Sequence, residues 1–236
     1  MFDWDVVGGS LPAFLDGIRV TLLLLAMSCA AGFVLAVPLA VARASANRWL
    51  STPVWLFTYV IRGTPLLVQL FMVYYGLAQF EWIRESAAWP MLRSAWFCAW
   101  LAFALNTTAY TTEIFAGALK ATPAGDVEVA RSLGMSSVAI WRRILLPGAL
   151  RRALPQYGNE VVMLMHATAI ASTVSLVEVT RVARDVYYNH LMPAEAFGTA
   201  AIIYFVLTAI FVGGFKLLER RYLRHLRPMA TTAARA

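Results

Sequence analysis

The chain is 236 residues long, with 60% of them hydrophobic and only 14% charged. That balance excludes an ordinary soluble domain, which needs more polar residues than this to cover its surface. The formal net charge of +7 is read from its distribution along the chain, and it calls for no nucleic-acid partner.

A helix needs about 20 predominantly apolar residues to cross a bilayer. Five stretches reach that length, near residues 18–42, 54–79, 95–119, 154–178 and 196–218. The predicted fold class is therefore all-α, a polytopic membrane protein of five transmembrane helices in one domain covering 1–236. Pro38 and Pro65 fall inside spans. Each would free a carbonyl that needs a partner or a wet cavity.

Basic residues orient these spans. Arg43 and Arg48 follow the first. Lys120, Arg131, Arg142, Arg143, Arg151 and Arg152 separate the third from the fourth. Lys216, Arg220, Arg221, Arg224, Arg227 and Arg235 lie at or beyond the end of the fifth. The opposite side holds Arg84, Arg93, Arg181 and Arg184, interleaved with Glu81, Glu85, Asp185 and Glu195. An excess of Lys and Arg marks the cytoplasmic face. The N-terminus is expected outside, in the periplasm, and the C-terminus in the cytoplasm. Asp3, Asp5 and Asp16 stand where a signal peptide carries positive charge, so no cleaved leader is expected. Cys29 and Cys98 fall at different depths and read as packing residues. No metal site and no nucleotide-binding Gly-x-x-x-x-Gly-Lys loop is expected.

The segment 120–153 lies on the basic, cytoplasmic side and reads as two short helices around a turn. Pro123 suits a helix start, and Asp126 and Glu128 complement the positive end of the helix dipole. Val129 and Leu133 form an apolar stripe, and Gly134 supplies the stop. Ser136 or Ser137 caps the second helix, which carries Ile140 and Ile144 and is expected to end at Pro147-Gly148. The bland alternative is an amphipathic loop lying on the membrane surface.

Spelled out, this segment reads Glu128-x-Ala130-x-x-x-Gly134, nine residues, then Ile144-x-Leu146-Pro147. The pattern resembles the loop by which permeases of bacterial ABC importers dock on their ATPases. Arg62-Gly63-Thr64-Pro65-Leu-Leu-Val-Gln69 and Asn106-Thr-Thr-Ala-Tyr110-Thr-Thr-Glu113 narrow the resemblance to permeases for polar amino acids. So do Pro155-Gln-Tyr-Gly-Asn159-Glu160, Leu164-Met-His166 and Ala183-Arg184-Asp185. They are similar above all to the permeases of histidine/lysine/arginine/ornithine and opine importers. The likeness runs from about residue 12 nearly to the end. It departs at Asp126, where the family usually has Gln or Glu, and at Val129, where the family usually has Ala. The resemblance implies a type I importer permease fold and an ATPase-coupling role for Asp126, Glu128, Ala130, Gly134, Ile144, Leu146 and Pro147. It implies an assembly with a second homologous permease (a heterodimer in preference to a homodimer), an ATPase dimer and a periplasmic solute-binding protein. This chain would hold no cofactor of its own, ATP and Mg being bound by the ATPase. Its place would be the bacterial inner membrane.

Ionisable residues inside spans are costly and commonly face a cavity or a partner. At 1.5 Å per residue, Arg62 lies roughly 12 Å into span two, while Glu113 and Glu160 lie roughly 9 Å into spans three and four. The three share a depth. Arg62 and Glu113 are expected to form a structural ion pair, leaving Glu160 beside Asn159 as a surplus acid that suits a cationic ligand. Asn106, Thr107 and Tyr110 are candidates for the same substrate site, and helix–helix packing suits Thr107 and Tyr110 equally well. His166 reads as a packing or hydrogen-bonding residue. The expected function is the membrane-spanning subunit of an ATP-driven importer of polar, basic amino acids, not itself an enzyme. The rivals are a secondary transporter driven by an ion gradient and an intramembrane enzyme. No nucleophile–base pair supports the latter.

Overall fold

The computed structural model describes residues 3–223, and its regular structure is helical throughout that range. Arg224, His225, Arg227 and Arg235 lie outside the described residues. In chain order the helices are α1 (Trp4–Ala44), α2 (Arg48–Arg62), α3 (Leu66–Phe71), the short α4 (Glu81–Arg84) and α5 (Trp89–Leu92), then α6 (Ala95–Lys120). They continue with α7 (Ala124–Ser132), α8 (Ser137–Ile140), α9 (Leu146–Ala167), α10 (Val179–His190) and α11 (Pro193–Tyr222). Side-chain caps set several starts. The Asp3 carboxylate accepts from the amides of Asp5 and Val6 at 2.9 and 3.4 Å, and Asn47 Oδ1 accepts from that of Trp49 at 3.0 Å. Each satisfies amides that a helix N-terminus leaves without an intrahelical partner.

Among the described residues two helices, α1 and α11, are singly long and apolar enough to cross a membrane. Two other expected spans are broken. The second bends by 99° between α2 and α3, and the fourth bends by 50° between the helix ending at Val174 and α10. Span two is thus no single helix, because Gly63-Thr64-Pro65 interrupts it. Span four ends sooner than expected, at a left-handed Ser175 with φ 69°. The 26-residue α6 differs again, since its middle carries Asn106, Thr107, Thr108, Thr111, Thr112 and Glu113. Such a polar helix fits only where other helices shield it, and α6 packs against α1, α2, α3 and α9.

Small residues make that burial close. Gly32 of α1 lies so near Thr107 that an added Cβ would collide with the Thr107 methyl. Three apolar clusters follow one another along α1. Phe14 joins Val179, Val182 and Ala200; Leu24 and Leu25 join Phe103, Leu164 and Met165; Ala36 and Ala40 join Phe115, Ala149 and Ala153. Large apolar side chains also remain outside, among them Leu23 and Val34 on α1 and Ile202, Phe205 and Ile210 on α11. Water would not favour that surface, whereas lipid would.

Candidate functional site

The site begins at the break between α2 and α3. Pro65 has no N–H, so the Ile61 carbonyl four residues earlier loses its helical donor. Gln69 replaces it. Its Nε2 donates to the Ile61 carbonyl at 2.6 Å, and it also reaches the Thr64 carbonyl at 3.0 Å and Thr64 Oγ1 at 2.8 Å. The other end of the same amide, Oε1, accepts from Asn106 Nδ2 of α6 at 3.1 Å. Nothing in the sequence beyond the proline itself signals this bridging role of Gln69.

Two adjoining clefts of about 520 and 350 Å³ open beside this break, and Arg62, Tyr110, Glu160 and Met163 line both. Glu113, Arg152 and Gln156 line the first, while Thr64, Pro65 and Asn106 line the second. The three ionisable residues predicted to share a depth therefore line one cleft. Glu160 is 7% exposed, with the Thr107 hydroxyl beside it. The Arg62 guanidinium lies over the Tyr110 ring, 5.1 Å from its centroid, a favourable cation–π geometry.

Two expectations differ from this geometry. Glu113 is held not by Arg62 but by Arg43, whose Nε lies 2.7 Å away, and by the Thr58 hydroxyl at 2.6 Å. The reason is that α1 runs on to Ala44, which carries Arg43 on its last turn back to α6. Asn159 is exposed and lines neither cleft. Thr107 is buried, touching the site through Glu160 and not lining it. His166 Nε2 meets Thr208 Oγ1 of α11 at 2.8 Å, a hydrogen bond between packed helices.

Several polar anchors carried no sequence signal. Arg152, by sequence only a charge on the basic side, donates from Nε to the Ala118 carbonyl at 3.1 Å and from its guanidinium to Thr122 Oγ1. It ties the foot of α9 to the end of α6. Glu178 is fully buried at the N-terminus of α10, where it accepts from the amides of Thr180 and Arg181 and from Tyr204 Oη at 2.8 Å.

In the 120–153 segment, α7 ends in a Schellman motif. The Gly134 amide donates to Arg131 and the Met135 amide to Ala130, at 2.9 and 3.1 Å, with Gly134 at φ 74°. This is the residue type and conformation such an ending requires. Asp126 and Glu128 are exposed and Ala130 is buried, while Val129, Leu133 and Val138 stay exposed around the turn at 60%, 75% and 68%. Ser136 caps α8 by accepting from the Ala139 amide at 3.3 Å. The expected end at Pro147-Gly148 does not occur. A widened π turn at Trp141–Leu145 carries the chain from α8 into α9, whose first turn holds Leu146 and Pro147. A proline is tolerated in a first turn, where its missing donor is not needed. Ile144, Leu146 and Pro147 are half-buried at this junction.

Residues 32–224 match the family described as binding-protein-dependent transport system inner membrane component. The chain belongs to that family. The histidine/lysine/arginine/ornithine transport system permease protein HisM of Escherichia coli (strain K12) is 43% identical over 216 residues, 91% of each chain. The octopine transport system permease protein OccM of Rhizobium meliloti is 45% identical over 219 residues, 93% of this chain and 88% of its own. A crystal structure of an amino acid ABC transporter with histidines superposes with a TM-score of 0.83 at 32% identity, covering 94% of this chain and 99% of that one. The inward-facing MetNI methionine ABC transporter shares the fold at 18% identity, with a TM-score of 0.76 over 89% of this chain and 96% of that one. This transport component is thus all-helical, with the type I importer permease fold.

Proposed function

We propose that this chain is the translocating half-subunit of an ATP-driven importer for basic amino acids in the bacterial inner membrane. The observation that carries the substrate class is Glu160, a buried carboxyl group on the wall shared by two clefts. The names of its permease relatives agree, since they move histidine, lysine, arginine, ornithine or octopine. In this reading the chain crosses the membrane five times, through α1, the broken α2–α3, α6, the broken α9–α10 and α11. Its N-terminus is periplasmic and its C-terminus cytoplasmic. The 120–153 segment receives the ATPase, with Asp126, Glu128, Ala130, Gly134, Ile144, Leu146 and Pro147 forming and bracing the docking surface. Val129, Leu133 and Val138 supply its apolar contact. A second, homologous permease completes the pathway, an ATPase dimer binds ATP and Mg, and a periplasmic binding protein delivers the substrate.

Within the cleft, Glu160 would offset the desolvation of a side-chain cation. Asn106 and Tyr110 would meet the remaining polar groups, with Thr107 orienting Glu160. Asn159 has no part in that wall. The test is uptake by a complex carrying Glu160→Gln with an unchanged binding protein, comparing arginine with neutral histidine at alkaline pH. We expect arginine uptake to fall at least tenfold while histidine is spared. Equal loss for both would make Glu160 structural, and no loss would remove it from the site.

A further inference from the structure

We infer that Gln69 is a positioning residue that fixes the side-chain amide of Asn106 with its oxygen toward the substrate cleft. This rests on the reading of Asn106 as part of the substrate site. Gln69 faces the carbonyls of Ile61 and Thr64 at 2.6 and 3.0 Å. A carbonyl can only accept, so the Gln69 end that meets them must be the NH2 group. Thr64 Oγ1 spends its own proton on the Val60 carbonyl at 3.0 Å, so it too accepts from Gln69, at 2.8 Å.

The orientation of Gln69 is therefore set by two carbonyls at the break, one of which, that of Ile61, has lost its helical donor to Pro65. Its oxygen is then the end that meets Asn106, at 3.1 Å. An oxygen needs a donor opposite it, so Asn106 must turn its NH2 toward Gln69. What remains for the cleft is Asn106 Oδ1. Among the described residues no donor reaches that oxygen, and it is not among the buried unpaired atoms, so it opens on the cleft that Asn106 shares with Glu160 and Tyr110. A proline in one span thereby dictates, through one glutamine, that the wall beside Glu160 presents an acceptor to an ammonium or guanidinium group. Were Asn106 turned over, its NH2 would face the substrate cation and repel it.

The experiment is arginine uptake by the complete complex, with ATPase and binding protein, in proteoliposomes. Asn106→Ala establishes whether the residue belongs to the site. If uptake is unchanged, the site reading of Asn106 fails, and the inference with it. If uptake falls, Gln69→Leu should also reduce it about tenfold, because Asn106 is then free to turn. The decisive variant is Gln69→Leu with Asn106→Asp. A carboxylate offers acceptors in both directions, so its orientation no longer matters and uptake should return to within about threefold of the parent. The same Asn106→Asp change beside native Gln69 sets two oxygens against each other and should transport less well than the double variant. A double variant no better than Gln69→Leu alone overturns the inference while leaving Asn106 in the site. Should Gln69→Leu fail to assemble, Gln69→Met takes its place in the same comparison, and a Gln69→Met, Asn106→Asp pair no better than Gln69→Met alone would overturn the inference equally.

Discussion

Arg43, Thr58 and Glu113 join the ends of α1 and α2 to α6 through two hydrogen bonds on one carboxylate oxygen, at 2.7 and 2.6 Å. With side chains 20% and 22% exposed, the Arg43–Glu113 pair is neither free in water nor deeply buried. Hydrogen bonds to charged groups contribute about 1.5–3 kcal/mol, and Arg43→Ala should destabilise the purified complex by about that much because it strands Glu113. Adding Glu113→Gln removes the stranded charge and should recover part of the loss. Thermal unfolding in detergent across this double-mutant cycle measures both, and strictly additive losses would show that the two residues do not interact. At this scale the sequence revealed height but not direction. Counting along spans placed Arg62, Glu113 and Glu160 at one depth, and they do line one cleft. It did not reveal that Arg43 would outreach Arg62, because that depends on where α1 stops. Nor did it separate Asn159 from Glu160. Adjacent residues on a helix point about 100° apart, so only one of the two can face the cleft.

The elements carry their own tests. Gly134 stands at φ 74°, yet an added Cβ would meet nothing within 4 Å. Any penalty at this position is therefore backbone strain alone, about 1–2 kcal/mol for an ordinary residue. Gly134→Asn should be tolerated, since asparagine enters that region readily, whereas Gly134→Val should leave membrane insertion intact and uncouple ATP hydrolysis from uptake. Parallel ATPase and uptake assays distinguish the two, and normal coupling in the valine variant would contradict the docking role of this turn. Gly158 poses the opposite case. Its space is closed, an added Cβ lying 2.8 Å from Phe215 Cγ. Gly158→Ala should cost about 1–3 kcal/mol by overpacking, and Phe215→Leu should relieve it, both read as shifts in thermal unfolding. The turn at Gly134 and a serine cap at 136 or 137 were legible because local chemistry decides them, and the structure selects Ser136. The continuity of α8 into α9 was not. Pro147-Gly148 reads as a stop in isolation, and only the preceding π turn lets the chain continue as helix. Likewise α6 looked like one span among five, whereas its threonines and Glu113 are tolerable because four helices surround it.

For the whole molecule, the apolar composition and the asymmetry of basic residues announced a membrane protein, and the family match agrees. Assembly is a matter of faces that one chain leaves open. Both clefts lie at the surface of this single subunit, which supports the proposed pairing with a second permease, a homologous partner being preferred to a second copy. Native mass spectrometry of the purified complex should find one copy of this chain beside one different permease and two ATPases. Two copies of this chain would reverse that preference. The most direct test of the central claim is transport by the reconstituted complex in proteoliposomes, with binding protein and radiolabelled arginine outside and ATP sealed within or withheld. The account predicts arginine accumulation that requires both ATP and the binding protein and persists when ion gradients are collapsed. Uptake by this chain alone, driven by an ion gradient without ATP, would contradict it.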